Sequence, residues 1–75
     1  MPEKEVTAPL PGLVKRILVN VGQKVTDKLP VLIIEAMKME NMIYGRATGI
    51  VKEIYVNEGQ NVRAGDKLVT IIVAE

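Results

Sequence analysis

The sequence predicts an all-β fold on three observations. Its apolar residues are aliphatic: 48% of the 75 residues are hydrophobic, Phe and Trp are absent, and Tyr44 and Tyr55 are the only aromatics. A Val- and Ile-rich chain suits strands better than helices. Pro9, Pro11 and Pro30 interrupt any helix through their regions, and no segment sustains a 3.6-residue apolar period between caps. Finally, the chain repeats itself. "GLVKRILVNVGQKV" (Gly12 to Val25) and "GIVKEIYVNEGQNV" (Gly49 to Val62) align at an offset of 37, with Val14/Val51, Lys15/Lys52, Ile17/Ile54, Asn20/Asn57 and Gly22/Gly59 among the identical pairs. The same offset relates Ile34 to Ile71. Two related halves, packed as small sheets around one aliphatic core, account for this pattern.

Each half reads as strands and turns. "GLVKRILV" opens the first copy as an apolar, β-branched strand crossed by two charges. Val14 and Ile17 cannot both face inward under strict alternation, so a bulge or sharp twist is expected near Lys15-Arg16. "VNVGQ" and "VNEGQ" are turns, started by Asn and carried through positive φ by Gly22 or Gly59. "PVLIIEA" and "KLVTIIVA" are short apolar runs between breakers, as buried strands require. The glycines read as turn residues; neither GxGxxG nor GxxxxGK is present, so no phosphate loop is expected.

Composition narrows the function. With no Cys there is no disulfide framework or thiolate metal site, which suits a reducing compartment, and cytoplasm is the expected location. With no His there is no imidazole base or ligand. Ten basic and nine acidic residues are interspersed to a net charge of +1. This and the missing stacking aromatics argue against nucleic acid as a partner. No apolar run reaches transmembrane length, so direct membrane insertion is not expected. "MPEKEVTAPL" does not read as a signal peptide. The chain reads as one domain, residues 1–75, compatible with the C-terminal part of a longer chain.

The candidate site is the joint between the halves. A two-residue turn at Met37-Lys38 would pair Ala36 with Met39, Glu35 with Glu40, Ile34 with Asn41, Ile33 with Met42 and Leu32 with Ile43. Two features of that hairpin are unfavourable. The preferred tight turn needs positive φ at both corners, which costs non-glycine residues about 1–2 kcal/mol each. Glu35 and Glu40 would oppose one another as like charges. Local rules tend to fail at functional sites, so the stretch from Glu35 to Glu40 stands out. If the halves are related by a two-fold axis, the symmetric counterpart of the joint is the pair of chain termini, and Lys38 should protrude at the opposite end. Met37, Met39 and Met42 would give the tip an adaptable contact surface. A Schiff-base lysine needs a desolvated pocket, which a hairpin tip does not offer. An exposed amine on a rigid scaffold is better suited to acylation by another protein. A solvated lysine at an ordinary loop tip is the plain alternative.

"EAMKMEN" (Glu35 to Asn41) closely resembles the biotin attachment motif of biotin carboxyl carrier domains. "APLPG" (Ala8 to Gly12), the Gly-Ile-Val-Lys segment and "AGDKL" (Ala64 to Leu68) resemble the same family, over about Val6 to Val73. The resemblance implies a flattened antiparallel β-barrel or sandwich of two four-stranded sheets with quasi-two-fold symmetry. It implies covalent biotin on Lys38, with Met37, Met39, Glu35, Ala36 and Glu40 as flanking recognition residues, and no catalytic residue in the carrier itself. The implied partners are a biotin protein ligase, and biotin carboxylase and carboxyltransferase (or decarboxylase) subunits between which the biotin carries a carboxyl group. The chain departs from the family pattern at Gly45-Arg46, where Ala-Pro is frequent, and at Lys28-Leu29, where Gly-Asp is usual. It also lacks the inserted thumb of some bacterial acetyl-CoA carboxylase carriers, which tilts the resemblance toward the pyruvate or propionyl carboxylase, transcarboxylase or decarboxylase type. Three other readings remain at this point: a lipoyl carrier domain, whose sites usually read Asp-Lys-Ala; an unmodified lipoyl-like interaction module; and a catalytic lysine enzyme.

Overall fold

The computed structural model describes residues 2–74. The strands are β1 (Glu3–Thr7), β2 (Gly12–Ile17), β3 (Lys24–Val25), β4 (Pro30–Ala36), β5 (Met39–Tyr44), β6 (Gly49–Ile54), β7 (Asn61–Val62) and β8 (Lys67–Val73). They form two four-stranded sheets of order β1-β8-β6-β3 and β5-β4-β2-β7, antiparallel throughout. An offset of 37 exchanges the sheets: β1 and β3 of the first map to β5 and β7 of the second, and β2 and β4 of the second map to β6 and β8 of the first. The repeat read from the sequence is thus an internal two-fold relation that exchanges the sheets. Sequence reading did not anticipate β1, whose charges hide it, or the two-residue β3 and β7.

The core follows the same relation. Val6/Ile43, Val14/Val51, Val19/Val56, Val25/Val62, Val31/Leu68, Leu32/Val69 and Ile34/Ile71 are all buried. Ala8 is buried opposite buried Gly45. Two bulges per half let neighbouring side chains share a face. The register of β2 on β4 shifts between Val14 and Arg16, and that of β6 on β8 between Val51 and Glu53. Lys15 and Lys52 are therefore the extra residues, where the bulge was expected. With them turned out, Val14 is fully buried and Ile17 still packs against the core. A second pair of shifts leaves out Val31 and Leu68, so that Val31-Leu32 and Leu68-Val69 are each buried as neighbours.

The halves are clasped by crossed hydrogen bonds. The amide of Gly22 donates to the carbonyl of Val51, and that of Gly59 to Val14, both at 2.8 Å. Each glycine has φ near +90°, which presents its amide across the molecule at little steric cost. Three other glycines correct the reading of glycines as turn residues. Gly12 and Gly49 lie in strands, where a Cβ at Gly12 would stand 2.6 Å from the Glu35 carbonyl and one at Gly49 would overlap the Ile72 carbonyl. A Cβ at Gly45 would meet the Ile71 Cδ1 at 2.5 Å.

Loop differences between the halves follow from their residues. Gly65 takes φ +92° in the turn closed by Asp66 N–H to the Arg63 carbonyl. Its mate Lys28 is not among the positive-φ residues, and its turn is closed by Leu29 N–H to Thr26. Arg46 replaces the proline of its mate, Pro9, and adopts φ 56°.

The fold predicts a contrast between glycines. Gly49→Ala should lower unfolding stability by about 1–3 kcal/mol through forced overpacking against the β8 backbone. Gly59→Ala, with open space around it, should lose only the left-handed penalty of about 1–2 kcal/mol. Urea unfolding of both variants tests this, and an unchanged midpoint for Gly49→Ala would contradict the close approach.

Candidate functional site

The tip lies where β4 turns into β5. The pairs are Ala36–Met39, Glu35–Glu40, Ile34–Asn41, Ile33–Met42 and Leu32–Ile43, the register expected from the sequence. Met37 and Lys38 are the two corners, with φ 53° and 65°, as a tight hairpin with both corners left-handed requires. β4 is held on its other side by β2, from Leu13–Glu35 to Ile17–Leu32. The reversal is therefore imposed by a strand fixed on both edges, not by turn-forming residues.

The tip lies at the opposite end of the molecule from Glu3 and Val73, the outer ends of β1 and β8, and the longest dimension is 37 Å. β1 begins beside Ile72 and runs to Thr7. Four residues later the chain enters β2, whose Leu13 pairs with Glu35 next to the tip. In the reverse sense, β5 leaves the tip and delivers the chain to Gly49, which pairs with Val73 at the far end.

The opposed carboxylates have a partner that sequence reading missed. The Lys15 Nζ lies 3.4 Å from an oxygen of Glu35 and 3.4 Å from one of Glu40. Hydrogen bonding to Glu40, then the charge of Glu35, raises the Lys15 pKa. The bulge makes this possible, because the extra residue of β2 is turned out toward the β4–β5 face. A signal was present in the repeat: Lys52 pairs with Glu3 at 2.7 Å, and the offset of 37 carries Lys52 to Lys15 and Glu3 to Glu40. Glu35, whose mate is Ile72, is the acid without a counterpart. Asn41, half-buried, adds a side-chain hydrogen bond to the Ile34 carbonyl at 3.3 Å, holding the two strands together just below the tip.

Lys38 stands apart from this cluster. It is exposed, and among the described residues it makes no ion pair. The groove of about 340 Å³ between β1 and β5, lined by Lys4, Tyr44 and Arg46 among others, does not include it. A smaller hollow lined by Lys15, Arg16, Ile33 and Glu40 does not include it either. Met37 and Met39 flank Lys38 in the open, Met42 is exposed further along β5, Ala36 and Glu35 are half-buried, and Glu40 is exposed. The arrangement offers a solvent-facing amine at the end of a rigid hairpin.

Residues 4–71 match a family profile described as biotin-requiring enzyme, the biotin/lipoyl family. The chain belongs to this family. It is 52% identical over 64 residues to a biotin carboxyl carrier protein of Streptococcus mutans, covering 85% of this chain and 49% of that protein. It thus spans about half the length of that relative. It is 44% identical over 63 residues to the biotin carboxyl carrier protein of acetyl-CoA carboxylase of Solanum lycopersicum, covering 84% of this chain and 90% of that one. The urea carboxylase of Kluyveromyces lactis contains the same architecture, with a TM-score of 0.89 and 29% identity over 96% of this chain and 6% of that one. The family's cofactor is covalently attached biotin, and the two-sheet, two-fold form of this biotin/lipoyl domain is the one the resemblance implied.

The Lys15 bridge makes a testable energetic claim. Lys15→Gln should lower the urea midpoint, and Glu35→Gln should raise stability more in the Lys15→Gln background than in the wild type. Both effects should shrink in high salt, because the groups are exposed. The raised pKa fixes the sign with pH: the Lys15 contribution is complete below the ordinary lysine value of 10.5 and disappears as pH climbs through the higher folded-state value. Equal Glu35→Gln effects in both backgrounds would show that Lys15 does not bridge the acids.

Proposed function

We propose that this chain is a biotin carboxyl carrier and that Lys38 is its attachment residue. The observation that carries the proposal is the position of Lys38: an exposed amine, without an ion pair among the described residues, at a left-handed corner of a rigid hairpin, inside "EAMKMEN". Attachment would proceed at a biotin protein ligase. The Lys38 amine, after losing a proton to a base on the ligase, forms a C–N bond to the activated biotinyl carbonyl as the bond to AMP breaks. The product amide removes the charge of Lys38 and leaves a long arm at the tip. Biotin, once attached, supplies a ureido nitrogen that accepts and yields a carboxyl group.

The residues of the carrier then act as a support. β4, held by β2 and β5, fixes the base of the arm, while the arm itself stays mobile. Tethering turns each transfer into an intramolecular event at raised local concentration. The partners in this reading are a biotin carboxylase and a carboxyltransferase or decarboxylase. Relatives named for both acetyl-CoA carboxylase and urea carboxylase match the chain, so the missing thumb does not choose an acceptor. Met37-Lys38-Met39 favours biotin over lipoate at the tip.

Intact mass spectrometry tests this after incubation with a biotin ligase, biotin and ATP. One biotinyl group should be added to the wild type and none to Lys38→Arg. A lipoyl ligase with lipoate and ATP, run in parallel, should label neither. An unmodified wild type beside a labelled control acceptor would refute the reading. In the same assay Glu35→Gln should slow biotinylation while keeping the thermal midpoint equal or higher.

A further inference from the structure

Methionine is among the residues most often buried in folded proteins, yet Met37, Met39 and Met42 are 94%, 67% and 57% exposed. All three lie within four positions of Lys38. The core contains Val, Leu, Ile and Ala but no methionine among the described residues. The internal two-fold supplies a control for what the fold needs at these places. The mates of Met37, Met39 and Met42 are Ala74, Pro2 and Glu5, none of them a long apolar side chain. The scaffold thus folds the equivalent positions of the other sheet without methionine. Met39 follows the inward parity of Asn41 and Ile43, but it lies beyond the end of the core, whereas Met42 shares the outer face with Glu40 and Tyr44. Tyr44 Oη touches the Met42 sulfur at 3.9 Å, a weak contact that leaves the thioether open.

We propose that Met37, Met39 and Met42 are a reversible oxidation site that controls whether Lys38 can be biotinylated. The proposal rests on the reading of Lys38 given above. A hydroperoxide is the oxidant. The thioether sulfur attacks the terminal oxygen, the S–O bond forms as the O–O bond breaks, and with hydrogen peroxide a molecule of water leaves. Sulfur is oxidised by two electrons and the peroxide is reduced. Methionine sulfoxide reductases reverse the step, one enzyme for each sulfoxide epimer: the oxygen departs as water while a dithiol becomes a disulfide. Each sulfoxide replaces a flexible apolar side chain with a polar one. A ligase that draws in the Lys38 amine must contact Met37 and Met39, because they are its immediate neighbours on a two-residue turn. Met42 extends the same surface along β5. The modification therefore alters the surface presented with the lysine and leaves the packed interior alone.

The test uses the unmodified wild-type domain, before biotin, itself a thioether, is present. It is treated with hydrogen peroxide, desalted and analysed by peptide mass spectrometry and thermal unfolding. Sulfoxide should form at Met37, Met39 and Met42 with the unfolding midpoint unchanged. The kcat/KM for biotinylation by ligase that never met peroxide should fall about tenfold or more, the size expected when apolar side chains buried by a partner become polar. Treatment with both sulfoxide reductases and a dithiol should restore it. Biotinylation of the Met37→Leu/Met39→Leu/Met42→Leu variant should be insensitive to peroxide. Full sulfoxide formation with an unchanged rate would overturn the proposal, as would a loss that the reductases cannot reverse or a Leu variant as sensitive as the wild type. If the Leu variant is a poor substrate, the reductase arm on the wild type still decides. Failure of untreated wild type to accept biotin would instead refute the reading of Lys38.

Discussion

The structure depends on the crossed pair of hydrogen bonds from Gly22 to Val51 and from Gly59 to Val14. Neither half of the chain is complete alone, because the glycine turn of each closes against a strand of the other. A chain of 75 residues buries too little surface to support two separate cores, and the clasp merges them into one. The accepting residues, Val14 and Val51, are themselves buried core residues. The next residue in each case is the bulged lysine. The bulge turns Lys15 out toward Glu35 and Glu40 and Lys52 out toward Glu3. The same local geometry that joins the halves thereby offsets the repulsion between the two acids at the base of the tip.

Because the two sheets are the same design used twice, each is a control for the other. A feature present in both belongs to the scaffold. The Lys15–Glu40 and Lys52–Glu3 pairs are such a feature, and so are the buried valines at 14 and 51 and the strand glycines at 12 and 49. A feature in one sheet only is not demanded by folding. Glu35 against Ile72, Met39 against Pro2 and Met42 against Glu5 fall in this second class, and they cluster around Lys38. What the scaffold demands and what it does not are thus distinguished at residues that lie side by side.

Much of this was legible in the sequence because it is local or periodic. The offset of 37 gives the two-fold, the phase conflict of Val14 and Ile17 gives the bulge, and a two-residue turn fixes the register of β4 on β5. What was hidden needed the third dimension. Lys15 can bridge Glu35 and Glu40 only because β2 lies on the side of β4 opposite β5, a neighbourhood that no local pattern states. Gly12 and Gly49 looked like turn residues because their real constraint, the approach of a neighbouring backbone, has no signature in their own segments. β3 and β7 are too short to carry a period of two. The one repeat signal available for the bridge, Lys15/Lys52 together with Glu3/Glu40, becomes interpretable only once β1 is known to be a strand.

The strained corner has a physical reason. An Asn-Gly turn would spare about 1–2 kcal/mol at each position, but a two-residue turn has only two corners, and it would leave no lysine at the apex. A lysine placed within β4 or β5 on the outer face would lie near Glu35 and Glu40 and be drawn into an ion pair as Lys15 is. At the corner Lys38 escapes both carboxylates: among the described residues it has no ionic partner. The total strain is a few kcal/mol at most, within what strands fixed on both sides can bear in a domain of ordinary stability. Lys15 and the corner thus solve one problem from two directions. The first offsets the acids with a cation other than Lys38, and the second keeps Lys38 apart from them, as the proposed acylation of its amine requires.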